Sequence, residues 1–215
     1  MIPARFIFEY PERCLQLIEE IEPLARSRSL VGSFSLLVAP SLFLIPYERL
    51  KNNHPLREGT REPEVNRALK RVGRQKWSRS EFWDGEPGQS WRFTRIVTSP
   101  ERTEEWADEE GLHPFDGEAK NHIGRADTER VIRVIRNALA HGNIVYLDGK
   151  GYERLGAQVQ YLAFLSRYEE NEVDRQRAET YRLVAVTEDD FLAFLKQWSA
   201  WLQSKGRDAR IFEAA

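Results

Sequence analysis

Arg136, Asn137 and His141 sit in one seven-residue string, Arg136-Asn137-Ala138-Leu139-Ala140-His141-Gly142. They combine a permanent cation, an amide and the side chain that most readily exchanges protons near neutral pH. A histidine at a helix C-terminus tends to have its charged form stabilised, which favours proton-transfer work near neutral pH. Arg130 and Arg133, one to two turns upstream, are candidate phosphate contacts. At 100° per residue, Arg130, Asn137 and His141 fall within about 40° of one another, whereas Arg136 and His141 are about 140° apart. A single straight helix therefore does not aim Arg136 and His141 at one phosphate. Arg136 reaching around, an unwound last turn, or a partner chain would each close that gap. Beside this stands a plainer reading, in which the Arg is solvated or ion-paired and the His contacts the last carbonyls of its helix.

The element that must carry these residues is a helix from Thr128 to about His141. Asp127 precedes it as a candidate cap, and Gly142 follows where a left-handed turn ends a helix. Val131, Ile132, Val134, Ile135, Ala138 and Leu139 cover an arc of about 160°, which is its core face. Upstream, Pro11 to Pro23 reads as a short amphipathic helix with Cys14 packed on its apolar side. Ser29 to Tyr47 reads as a buried helix kinked at Pro40, and Glu64 to Arg74 as a basic helix. Gly and Pro punctuate Trp83 to Arg125, which predicts a long irregular insertion. Downstream, Asn143–Leu147, Gln158–Tyr168 and Thr180–Val186 read as strands, with the charged Glu169–Glu179 stretch between the last two. Thr187-Glu188-Asp189-Asp190 then opens a helix that stops before Gly206. The expected fold class is α+β and mainly α, in a single domain over 1–215. A helical part, 1–142, holds the insertion at about 83–125; residues 143–215 form a three-stranded antiparallel meander plus a C-terminal helix.

Composition narrows the function. The chain has 215 residues, 41% hydrophobic and 31% charged, with six Trp and eleven Phe, which argues for a packed fold and against disorder. A single cysteine, Cys14, excludes an internal disulfide framework and CxxC motifs, and it suits a reducing, cytoplasmic setting. A net charge of -2 excludes a broadly basic nucleic-acid scaffold. Local basic surface remains: Arg61 to Arg79 holds seven Lys or Arg against two Glu, while Glu101 to Glu118 holds eight acids against one Arg. These blocks could attract each other, and the basic one reads equally as a solvated helix face, Arg67, Lys70, Arg71 and Arg74, or as a phosphate-binding patch; Trp77 and Trp83 beside it could stack on bases, although most such tryptophans are partly buried anchors. His54, His113, His122 and His141 lack metal-ligand spacing, and no P-loop, GxGxxG or GxSxG occurs, so neither metal nor cofactor is expected. The uncharged run Ser29–Tyr47 is marginal for a membrane span. Pro40, its four serines and five acids upstream oppose one, so no membrane is expected, although a membrane-attached protein stands as a third reading.

The string around Arg136, Asn137 and His141 resembles the HEPN superfamily (higher eukaryotes and prokaryotes nucleotide-binding). Its mark is an Arg, four to six residues, then a His near a helix end, often with a polar residue directly after the Arg. The strands and last helix depart from the minimal bundle and look like the extension of a plasmid-encoded, defence-type branch. The resemblance implies a helical bundle that dimerises along its motif helices. It also implies a metal-independent endoribonuclease that leaves 2′,3′-cyclic phosphate ends, often a toxin-antitoxin or phage-defence effector. Arg136, Asn137 and His141 would be its catalytic residues, RNA its substrate, and an antitoxin or regulatory protein a partner. The alternative is a catalytically silent HEPN module that docks RNA, nucleotide or protein.

Overall fold

The computed structural model describes residues 6–50, 63–167 and 180–213. His54, Arg61 and the Glu169–Glu179 stretch lie outside them.

The first helix, α1 (Phe6–Ser27), is longer than the Pro11–Pro23 reading and passes through both prolines. Each proline removes one i→i−4 hydrogen bond. Packing and ion pairs sustain the helix: Glu22 accepts from Lys196, and Arg26 Nη1 lies 2.5 Å from Asp189 Oδ1.

The apolar run folds as α2 (Val31–Ala39), a π-turn (Pro40–Leu44) and α3 (Ile45–Leu50). Pro40 thus does not kink an α-helix; it opens a wider turn, closed by Ile45 N–H donating to Pro40 O. A π-turn inserts one residue into the helical phase, rotating the next helical segment, α3, by about 100°. By length and composition Val31–Leu50 could cross a membrane. Here Val31, Phe34, Leu42 and Phe43 are buried, and the run packs against α1 and the closing helix.

The basic helix is α4 (Pro63–Arg74), and the motif helix is α5 (Thr128–His141), with the predicted core face buried apart from the half-buried Leu139. Asp127 does not cap α5 with its side chain. Its carboxylate accepts from Lys76 Nζ at 2.6 Å, and Thr128 N–H donates to Gln75 O. Gly142 takes the left-handed conformation at φ 73° and ends the helix as expected.

The meander is present as β2 (Ile144–Leu147), β3 (Tyr161–Ser166) and β4 (Tyr181–Thr187). The insertion adds an edge strand, β1 (Arg92–Ile96), giving a four-stranded antiparallel sheet in the order β1-β4-β3-β2. One face carries Phe93, Leu162, Phe164, Val184 and Val186 into the helical core. The other carries Ile96, Ala163, Leu165 and Leu183 beneath Trp106 and Phe115 of the insertion. Burial on both faces explains why β3 reads as continuous apolar sequence rather than alternation.

The closing helix, α6 (Glu188–Glu213), runs through Gly206, because good helix formers follow it. Thr187 Oγ1 accepts from Asp190 N–H at 3.4 Å, and Ser90 completes the cap by accepting from Thr187 N–H and bonding the Asp190 carboxylate. Trp77, Phe82, Trp83, Trp91, Phe194 and Trp198 form one aromatic core, with Trp77 and Trp91 4.8 Å apart at 63°. Trp77 and Trp83 are buried there, and Trp83 Nε1–H donates to Trp77 O at 2.7 Å, which removes them as base-stacking residues. Three acids of the Glu101–Glu118 block pair outside the basic one: Glu105, Glu109 and Glu110 with Arg102, Arg95 and Lys120.

Candidate functional site

The α5 helix presents its polar residues on two sides. Packing of its core face against β3 and α4 fixes the rotation about its axis, so Arg136 points toward α3 while Asn137 points toward the end of β3. Arg136 Nε donates to Glu48 Oε1 at 2.5 Å, with the two side chains 27% and 30% exposed. Arg136 Nη1 donates to Asn137 Oδ1 at 2.8 Å, and Asn137 Nδ2 donates to Ser166 Oγ at 3.0 Å. Glu48, Arg136, Asn137 and Ser166 thus form one hydrogen-bonded chain from α3 across α5 to β3. The bond to Glu48 pushes the Arg136 guanidinium above its ordinary pKa, against burial, which works the other way. Arg136 is therefore a fixed cation.

His141 stands apart. It is exposed at the last residue of α5, and no hydrogen bond joins its side chain to the other described residues. The backbone around it is hydrogen-bonded: Gly142 N–H and Asn143 N–H both donate to Ala138 O. Within one chain the structure brings Arg136 and Asn137 together and leaves His141 outside their network; the angle of about 140° separates His141 from Arg136, and Asn137, on the His141 side of the helix, turns its amide to Arg136 and Ser166 instead.

Arg133 pairs with Glu129 one turn before Arg136, and Arg130 is exposed on the same helix. Tyr47, next to Glu48, is buried, and burial together with Glu129 pushes its phenol up to about 12, the nearby Arg133 opposing. It is a neutral hydrogen-bonding group at ordinary pH. Among the described residues, no three His, Cys, Asp or Glu side chains gather as a metal site. His113, buried in the insertion, has Nε2 3.1 Å from Thr103 O and its ring 4.7 Å from Tyr152. That is a packing role.

Two residues of the network escape the sequence reading. Glu48 is 88 positions from Arg136, and Ser166 is 29 from Asn137. The Pro40 and Pro46 pair was the available signal for Glu48, since prolines inside an apolar helix mark a break in phase.

The fold is thus mixed α+β and mainly helical, with an Arg and a His, four residues between them, at the end of one helix and an added antiparallel sheet. A family model described as HEPN pEK499 p136 matches residues 3–209, and the chain belongs to this family. Membership supports an RNA-binding or nuclease module in general. No curated protein and no solved structure matches the chain.

Proposed function

We propose that this protein is a metal-independent endoribonuclease acting through Arg136, Asn137 and His141. The observation that carries the reading is the Glu48–Arg136–Asn137–Ser166 chain, which holds a guanidinium and an amide in place on the helix whose last residue is an exposed histidine. In the reaction the ribose 2′-oxygen attacks the adjacent phosphorus and the bond to the 5′-oxygen breaks, giving a 2′,3′-cyclic phosphate and a 5′-hydroxyl. One His141 takes the 2′-hydroxyl proton, and a second donates to the departing 5′-oxygen. Arg136 stabilises the extra charge on the phosphorane oxygens through Nη2, which neither of its two hydrogen bonds uses. Arg130 and Arg133 lie along the strand's approach. Two histidines require two chains, so the active form is a homodimer that pairs α5 with its two-fold copy. A dimer also resolves the angular problem, because His141 of one chain can face Arg136 of the other. We place the protein in the cytoplasm as a toxin-type or phage-defence effector, with an antitoxin or regulatory protein as its partner.

The test is cleavage of a labelled RNA panel in EDTA by wild type and His141→Ala, with the product ends identified. Cyclic-phosphate ends that fall by at least about 10²-fold in the variant are expected. Equal cleavage by both proteins would sink the proposal. The separation of His141 from Arg136 within one chain favours a second reading, a silent module that docks RNA or protein. A stable homodimer that binds RNA and yields no products would support it.

A further inference from the structure

One turn along α5 from Arg136, a cavity of about 370 Å³ opens between α3, α4 and α5. Ile132 in its wall is four positions before Arg136, about 6 Å along the helix axis. Its floor is apolar: Leu50 and Ile132 are 3% and 1% exposed, with the half-buried Leu69 as a side wall. Two buried polar groups border that floor. Asn66 Nδ2 is committed to Leu50 O at 2.7 Å, which leaves Oδ1 as an acceptor, and Tyr47 carries a neutral hydroxyl.

The rim has a different character. Lys70 and Arg74, a turn apart on α4, are exposed at the mouth, and neither forms an ion pair among the described residues. Glu129 lies there too, but its charge is engaged by Arg133. Gly73 keeps the back wall low, since a Cβ there would come within 3.3 Å of Glu129 Cβ. An apolar slot with a hydrogen-bond acceptor at its edge and two cations at its lip matches a nucleobase with its phosphate. Its size lies at the low end of the roughly 300–1,000 Å³ typical of small-ligand sites, which suits one nucleotide and not a duplex.

We infer that this pocket binds the single-stranded RNA nucleotide next to the scissile phosphate, with the base on Leu50, Leu69 and Ile132 and the backbone phosphate on Lys70 and Arg74. The inference rests on the reading of the α5 motif as an RNA site and adds where the strand is held. Of the four exposed cations of α4, Arg67, Lys70, Arg71 and Arg74, the two that line this pocket, Lys70 and Arg74, are given a ligand by it, in a chain with no net positive charge. Base stacking on an apolar surface and phosphate contacts are both sequence-tolerant, so the pocket contributes affinity more than sequence choice.

The experiment measures affinity of the full chain carrying His141→Ala, which leaves the RNA intact, for a short fluorescent single-stranded RNA over a range of salt. Adding Lys70→Glu and Arg74→Glu should weaken binding by about tenfold or more and flatten the salt dependence by about 0.7 in slope for each phosphate no longer neutralised. Leu69→Trp, which fills the slot, should weaken binding several-fold with the slope unchanged. Lys150→Glu, on the turn after β2, should change neither. Affinity within about twofold of the parent in the Lys70/Arg74 variant, or an equal loss in Lys150→Glu, overturns the inference. Wild-type cleavage is assayed alongside. Cleavage with binding indifferent to Lys70 and Arg74 removes the pocket and keeps the nuclease; Lys70- and Arg74-dependent binding without cleavage keeps the pocket and removes the nuclease.

Discussion

The two ends of the motif are built differently although a few residues of one helix connect them. Arg136 and Asn137 are half-buried and tied through Glu48 and Ser166 to two other elements, whereas His141 is exposed and fixed only by its backbone. Groups that stabilise developing charge gain most from being oriented beforehand, because reorienting a dipole or cation during reaction costs free energy. A proton-transfer group needs access to both substrate and solvent, and it can be completed by a partner. On the proposed reading, the charge-stabilising half is prepared within one chain and the proton-transfer half is left at a surface where a second copy would meet it.

The strongest way to break that comparison is to loosen the ordered half. Arg136→Ala should lower kcat by about 10²–10³-fold, the usual cost of removing one preorganised donor. It should also lower stability by about 1 kcal/mol, since Glu48 loses its partner in a site that is only partly buried. Glu48→Gln keeps the shape and removes the charge. We expect about a tenfold fall in kcat with little change in KM, because Glu48 positions Arg136 without touching RNA, and partial recovery in Glu48→Asp. Steady-state rates and thermal unfolding of the three variants check this. If Glu48→Gln moves neither rate nor stability, the chain of hydrogen bonds is incidental.

A smaller effect probes the exposed half. Gly142 has φ 73°, and a Cβ there would meet nothing within 4 Å, so any penalty is conformational. Gly142→Ala should cost about 1 kcal/mol, and Gly142→Asn less, since asparagine tolerates the left-handed region. If this turn places His141, the cleavage rate should rank wild type, Asn, Ala in the same order as stability. A rate insensitive to both substitutions would show that His141 is positioned by something other than its own chain's turn.

How much of this site is legible in the sequence depends on the range of the forces involved. The α5 helix, its core face and its Gly142 terminus are legible because 3.6-residue periodicity and a left-handed cap are local. The meander is legible for the same reason. Asp127 misleads because a cap residue can be claimed by a distant cation, here Lys76, and no local rule announces that. The β1 strand escapes because Arg92–Ile96 alternates weakly amid Gly and Pro, and its pairing with β4 is long-range. Glu48 is hidden twice, by sequence distance and by the π-turn that shifts the phase of α3. Trp77 beside a basic helix could be a stacking surface or a buried anchor from sequence alone; what decides for the anchor is partly long-range, since Phe194 on α6 lies 5.5 Å away.

The least effect, and the sharpest control, comes from a second carboxylate of similar kind. Glu22, like Glu48, is partly buried and held by cations, but its partners Lys196 and Arg26 belong to the clasp between α1 and α6, away from the motif. Burial pushes the Glu22 carboxyl up, and the hydrogen bonds from Lys196 and Arg26 outweigh it, so the pKa lies below its ordinary 4.5. A depressed carboxyl pKa contributes stability that is fully present above the unfolded value and is lost as pH falls through the folded one. Glu22→Gln should therefore be less stable than wild type by about 0.5–1 kcal/mol at neutral pH, discounted for solvent screening. The gap should close as pH drops below 4.5, which thermal unfolding of both proteins across that range would reveal. Cleavage at neutral pH should not change, in contrast with Glu48→Gln. If Glu22→Gln slows cleavage as much as Glu48→Gln does, the activity depends on general rigidity of the helical part, and the special standing given to the Glu48–Arg136 tie would be lost.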